Sequence, residues 1–124
     1  MFKDTKAFSG FAVDDLAKAR EFYAETLGID VVEEMGLLNL RLGGNRPTLV
    51  YPKPDFEPAT YTILNFPVDD IDSAVADLAA RGVAFEMYEN VDEKGVMRQM
   101  GPPIAWFRDP AGNILAVLEA EGPQ

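Results

Sequence analysis

The feature that most constrains this chain is an internal repeat. Val13-Asp14-Asp15-Leu16 returns 55 residues later as Val68-Asp69-Asp70-Ile71, and Ala19 and Ala24 are matched by Ala74 and Ala79. Self-similarity at a fixed spacing means one supersecondary unit used twice. Two like modules must therefore fit into 124 residues, the length of one ordinary domain.

Both copies sit in the same local context. In the first, residues 7–13 read as a strand, Asp14 or Asp15 as a helix N-cap, and Leu16, Ala19, Phe22, Tyr23 and Leu27 as an apolar stripe at helical spacing. Gly28 suits the left-handed position that ends a helix. In the second, residues 61–66 form the strand, Asp70 the cap, Ile71, Ala74, Val75 and Leu78 the stripe, and Gly82 the stop. Paired aspartates invite a metal, but capping is their commoner use. An Asp oxygen satisfies an otherwise unpaired amide and suits the positive end of the helix dipole.

Three strand-like stretches follow each helix. They are 29–34, 37–42 and 47–51 in the first half, with Gly43-Gly44-Asn45 as a hairpin turn, and 83–88, 104–108 and 113–119 in the second. Asp109-Pro110-Ala111-Gly112 has the residues of a type I turn. The expected fold class is α+β, each module reading strand, helix, strand, strand, strand. Module one covers 1–51 and module two 61–124; the linker, 52–60, carries three prolines in its first seven residues. A module of about 55 residues with one helix is marginal alone. Two side by side would curve their strands around a shared concavity.

Composition removes whole classes of chemistry. The chain has no Cys and no His, so disulfides, thiolate or imidazole metal sites, Cys nucleophiles and serine–histidine relays are excluded. Only an all-oxygen site for magnesium, calcium or manganese survives. Eleven Lys and Arg against 21 Asp and Glu give a net charge of −10, unsuited to nucleic acid or anionic membrane. No segment approaches the ~20 apolar residues of a membrane span. The opening residues have no apolar run of signal-peptide length, and the expected location is cytoplasmic.

The chain resembles the vicinal oxygen chelate superfamily, the glyoxalase, bleomycin-resistance and extradiol-dioxygenase proteins. The resemblance is carried by Phe11-Ala12-Val13-Asp14-Asp15-Leu16 running through Ala19, Phe22-Tyr23 and Leu27-Gly28. It continues in Pro67-Val68-Asp69-Asp70-Ile71 with Gly82-Val83, and in Trp106-Phe107-Arg108-Asp109-Pro110-Ala111-Gly112-Asn113. It implies tandem βαβββ modules forming a U-shaped half-barrel, and a homodimer. Catalytic members hold a divalent metal with His or Glu on inward-facing strand positions. Carried over, those positions fall on Phe8, Ile63, Ala116 and, within one residue, Val50. None of the four can coordinate a metal. Glu119 has the opposite strand parity to Ala116 and is aimed at the other face.

The expectation is therefore a protein without metal or other cofactor, binding a small organic molecule, aromatic or cationic, in an apolar cup. Strand parity puts Phe8, Gly10 and Ala12, Ile63 and Asn65, and Ile114, Ala116 and Leu118 on its face. Tyr51, Tyr88 and Trp106 are wall candidates. Asn65 is read as the one polar residue aimed inward, in need of partners. Residues 89–103 show no helix or strand pattern and read as a lid or a mobile extension, with Arg98 placed to meet an anionic group. The alternative is an enzyme of lyase, isomerase or dioxygenase type, metal-free or with an unconventional metal, working through a pocket carboxylate or tyrosine such as Glu86, Glu119 or Tyr88. A structural dimer whose cup is filled by its own side chains is the third class.

Overall fold

The computed structural model describes residues 1–120. Positions 121–124, the end of the expected second module, lie outside the described residues. The chain divides into two compact units, one of Met1–Glu57 and one beginning at Pro58.

The first unit runs β1 (Ser9–Val13), α1 (Leu16–Glu21), a π-helical turn (Phe22–Thr26), β2 (Asp30–Glu34), β3 (Leu37–Leu42) and β4 (Arg46–Pro52). Asp15 is the N-cap, its carboxylate accepting from the Lys18 amide at 3.1 Å. The strand order is β1-β4-β3-β2, with β1 parallel to β4 and the other pairs antiparallel. Phe11, Val13, Leu38, Leu40 and Val50 are buried, on the face where α1 packs against β3 and β4. The expected helix changes type midway. The Leu27 amide reaches back five residues to the Phe22 carbonyl at 2.9 Å, and Tyr23 is fully buried 5.7 Å from the Phe11 ring. A π-turn inserts one extra residue per turn, and it ends at Gly28, whose φ is +70°.

The second unit runs β5 (Thr62–Val68), α2 (Ile71–Ala80), β6 (Val96–Met97), β7 (Ile104–Arg108) and β8 (Ile114–Glu119), in sheet order β5-β8-β7-β6. Asp70 caps α2, accepting from the Asp72 and Ser73 amides and the Ser73 hydroxyl. These bonds hold its pKa below the ordinary carboxylate value, the Ser73 amide contributing most. The α2 helix packs on β8.

Two expectations fail here. Residues 83–88 do not form a strand: their backbone meets β7 through a bridge from Phe85 to Phe107 and a bond from the Glu86 amide to the Trp106 carbonyl. The second strand of this βαβββ unit is instead β6, inside the stretch read as patternless. Both segments use the same edge of β7, Val96 opposite Ala105 and Phe85 opposite Phe107. Gly95 makes this arrangement fit. At φ +88° it packs so tightly that a Cβ would lie 2.9 Å from the Phe85 Cβ. The Asp92 carboxylate accepts from the Lys94 and Val96 amides, so 92–96 is a pinned turn.

Candidate functional site

The turn before β8 sets the register of the second sheet. The Gly112 amide donates to the Asp109 carbonyl at 2.9 Å, as the type I turn requires. Asp109 Oδ1 accepts from the Ala111 and Asn113 amides at 3.0 and 2.8 Å. Asn113 donates its side-chain amide to Asp109 Oδ2 and accepts from the Ala59 amide at 3.1 Å. Both side chains are buried.

With that register, Asn65, Ala116 and Trp106 lie side by side across β5, β8 and β7. Pro67, Leu118 and Ile104 form the next row. Glu119 shows which face this is. Its carboxylate accepts from the Ile71 amide at the start of α2, at 3.0 Å, so β8 residues of Glu119's parity face the helix and Ala116 and Leu118 face away. On this open face Tyr88 meets Trp106 edge-to-face, ring centroids 5.5 Å apart. Arg108 borders them, its Nε donating to Glu86 Oε1 at 2.6 Å and its Nη1 to the Gly112 carbonyl at 3.0 Å. The bond to Glu86 raises the guanidinium pKa.

In the first unit, Gly10, Leu49, Asn39 and Val32 form the corresponding row across β1, β4, β3 and β2. Gly10 allows a close approach, since a Cβ there would sit 3.3 Å from the Leu49 carbonyl oxygen, a tight contact. Tyr51 partners Ala12 in the same sheet. Phe8 precedes β1 and is 65% exposed.

Four sequence expectations need correction. Val50 is fully buried opposite Phe11 and Leu38 on the helix side; the open face belongs to its neighbours Leu49 and Tyr51. Ile63 falls at a β-bulge between Thr62 and Leu64, where a parity count loses its meaning. Asn65 is exposed, so solvent can satisfy its amide. Arg98 is on the helix side, donating to Asp72 of α2 at 2.6 Å and to Asp92 at 3.3 Å. The bond to Asp72 is the main reason its pKa is raised. Sequence reasoning also missed Asn39 and Arg41, although their alternation with the buried Leu38 and Leu40 assigns them to the open face.

The family's metal does not fit these residues. The carried-over ligand positions hold Phe8, Leu49 or Tyr51, Ile63 and Ala116, and the described residues contain no group of three or more His, Cys, Asp or Glu arranged to hold an ion.

The profile of the Glyoxalase/Bleomycin resistance protein/Dioxygenase superfamily matches residues 9–117, and the chain belongs to that superfamily. The crystal structure of TnmS3, an antibiotic binding protein from Streptomyces sp. CB03234, is similar with 25% identity and a TM-score of 0.71, covering 95% of this chain and 98% of that one. A glyoxalase/bleomycin resistance protein from the same Streptomyces is 26% identical with a TM-score of 0.64, covering 90% and 99%. The fosfomycin resistance protein FosX from Listeria monocytogenes, at 13% identity and a TM-score of 0.71 over 92% and 91%, shares the fold. No curated protein matches the chain. Among the described residues, no helix is long and apolar enough to cross a membrane.

Proposed function

We propose that the protein binds a small aromatic or cationic organic molecule on the open face of the sheet in its second unit, without a metal ion. The observation that carries this reading is the accessible Tyr88–Trp106 pair, an aromatic surface in the row of the fully buried Ala116, a position where metal-dependent members need a ligand. Asn65 and Leu118 belong to the same face, and Ile63 lies at the bulge beside them. The similarity to an antibiotic binding protein supports it. Two carboxylates considered for catalysis already have partners, Glu86 in an ion pair with Arg108 at the edge of this face and Glu119 at the start of α2. This favours binding over turnover. The homodimer and the cytoplasmic location that the sequence suggests are part of the proposal.

The test is calorimetric titration of EDTA-dialysed protein with proflavine, a flat aromatic cation. Saturable binding is expected, weakened several-fold in Trp106→Ala, because an aromatic pair contributes about 0.5–1.5 kcal/mol beyond its buried area. Unchanged affinity in the variant, or binding that appears only after manganese is added, would overturn the proposal.

A further inference from the structure

Tyr88 reaches Trp106 without the help of a strand. The backbone before it is tied to β7 by the Phe85–Phe107 bridge and by the Glu86 amide on the Trp106 carbonyl at 2.8 Å. Past that bond, residues 87–91 make no backbone hydrogen bond among the described residues. Yet the Tyr88 ring stands edge-on to Trp106. Side chains must therefore fix what the backbone does not. On the helix side Phe85 meets Phe107 and closes on Gly95. On the open side the tie is Glu86, whose carboxylate accepts from Arg108 Nε at 2.6 Å.

Arg108 is itself anchored. It ends β7, and its Nη1 donates to the Gly112 carbonyl at 3.0 Å, in the turn that the buried Asp109 closes. One planar guanidinium fork thus joins that turn to Glu86. The guanidinium pKa is raised chiefly by the Glu86 bond and in smaller part by the Tyr88 side chain, so both residues face the same cation. The side chains of the ion pair are 44% and 27% exposed, and pairs so open to water add little to global stability. Their effect is on where residues 86–88 lie.

We propose that Arg108 is a positioning residue for the aromatic surface, holding residues 86–88 against β7 through Glu86 and so keeping the Tyr88 ring edge-on to Trp106. It acts through these two residues, without touching the guest. The inference rests on the proposed function for the guest that the surface receives, and on the second unit alone for its geometry.

The experiment compares Arg108→Gln, Glu86→Gln and Tyr88→Leu in the intact chain by two readouts. The first needs no ligand. The indole proton resonances of Trp106, the sole tryptophan, carry a ring-current shift from Tyr88, measured as the difference between the parent and Tyr88→Leu. Arg108→Gln and Glu86→Gln are each expected to lose most of that shift while melting near the parent temperature. The second readout is proflavine affinity. Direct electrostatics gives the two charge variants opposite signs, since removing a cation near a cationic guest strengthens binding and removing an anion weakens it. Positioning gives one sign: both variants weaken proflavine by about two- to tenfold, the range an aromatic pair contributes. On the Tyr88→Leu background, Arg108→Gln should weaken it no further, as a cycle through a shared intermediary requires. Parent resonances of Trp106 in both charge variants, proflavine bound as tightly or more tightly by Arg108→Gln, or an undiminished loss on the Tyr88→Leu background would overturn the proposal. A parent protein that binds no proflavine, with the Trp106 resonances moving as expected, would refute the proposed function and support the positioning role.

Discussion

Replacing Asp109 by Ala tests how the second unit holds its open face in register. The substitution removes the acceptor for the Asn113 amide at 2.8 Å and for the Asn113 side chain at 3.2 Å. Asn113 is only 2% exposed, so water cannot readily replace what is lost. Each stranded buried donor costs about 1–3 kcal/mol, so the two together give a loss of about 2–6 kcal/mol. The Ala111 amide is partly buried and adds little, because solvent reaches it. Against a typical stability of about 5–15 kcal/mol, this is a large fraction. Asp109→Asn is the informative companion. It keeps an oxygen for the two backbone amides but turns an NH₂ toward the Asn113 side chain, whose oxygen is held by the Ala59 amide. Its expected cost is about half that of the Ala variant, on the order of 1–3 kcal/mol. Urea unfolding followed by the fluorescence of Trp106, the sole tryptophan, measures both. With a slope of about 1–3 kcal/mol per molar urea, the Ala variant should lower the midpoint by about 1–2 M. A loss below about 0.5 kcal/mol in Asp109→Ala, the ordinary scatter of surface changes, would refute the reasoning. So would an Asn variant as damaged as the Ala variant.

Other perturbations have equally definite outcomes. Gly95→Ala should destabilise the second unit by about 2–4 kcal/mol, from a left-handed backbone and overlap with Phe85; a thermal melt matching the parent would contradict the packing. Tyr23→Ala should cost about 3–5 kcal/mol as a buried aromatic truncation, and a change under about 1 kcal/mol in urea would mean that the π-turn does not anchor the first unit. Asp92 has its pKa lowered, chiefly by the Val96 amide, so its contribution is present above the ordinary value of 3.8 and is lost as pH falls through the lowered one. The Val96 amide resonance should therefore titrate below that value and go flat in Asp92→Ala; a midpoint above it would have the wrong sign.

The sequence was most legible where structure is local. Asp15 and Asp70 cap their helices because the accepting carboxylate and the donor amides lie within three residues. The 109–113 turn likewise closes on itself, and its chemistry was visible in five letters. What was hidden depends on distant partners. Residues 83–88 have the composition of a strand, yet their place on the β7 edge is shared with Val96–Met97, which the Asp92 side chain and Gly95 bring there. Arg98 read as a free cation in a loop until Asp72, 26 positions away, took it to the helix side. Ile63 shows a further limit, because one bulged residue shifts every parity count upstream of it. At the candidate site, Trp106, Ala116 and Asn65 share one row, as strand alternation implies, because β7 and β8 pair without a register shift and Asn65 lies beyond the bulge in β5.

Binding without a metal is the central claim, and native mass spectrometry tests it most directly. The protein would be equilibrated with manganese, nickel, zinc and iron(II) salts, desalted, and sprayed with and without proflavine. The account predicts no metal of fixed stoichiometry and a proflavine adduct on the metal-free species. One metal retained per chain, with proflavine found only on the metal-loaded species, would contradict it.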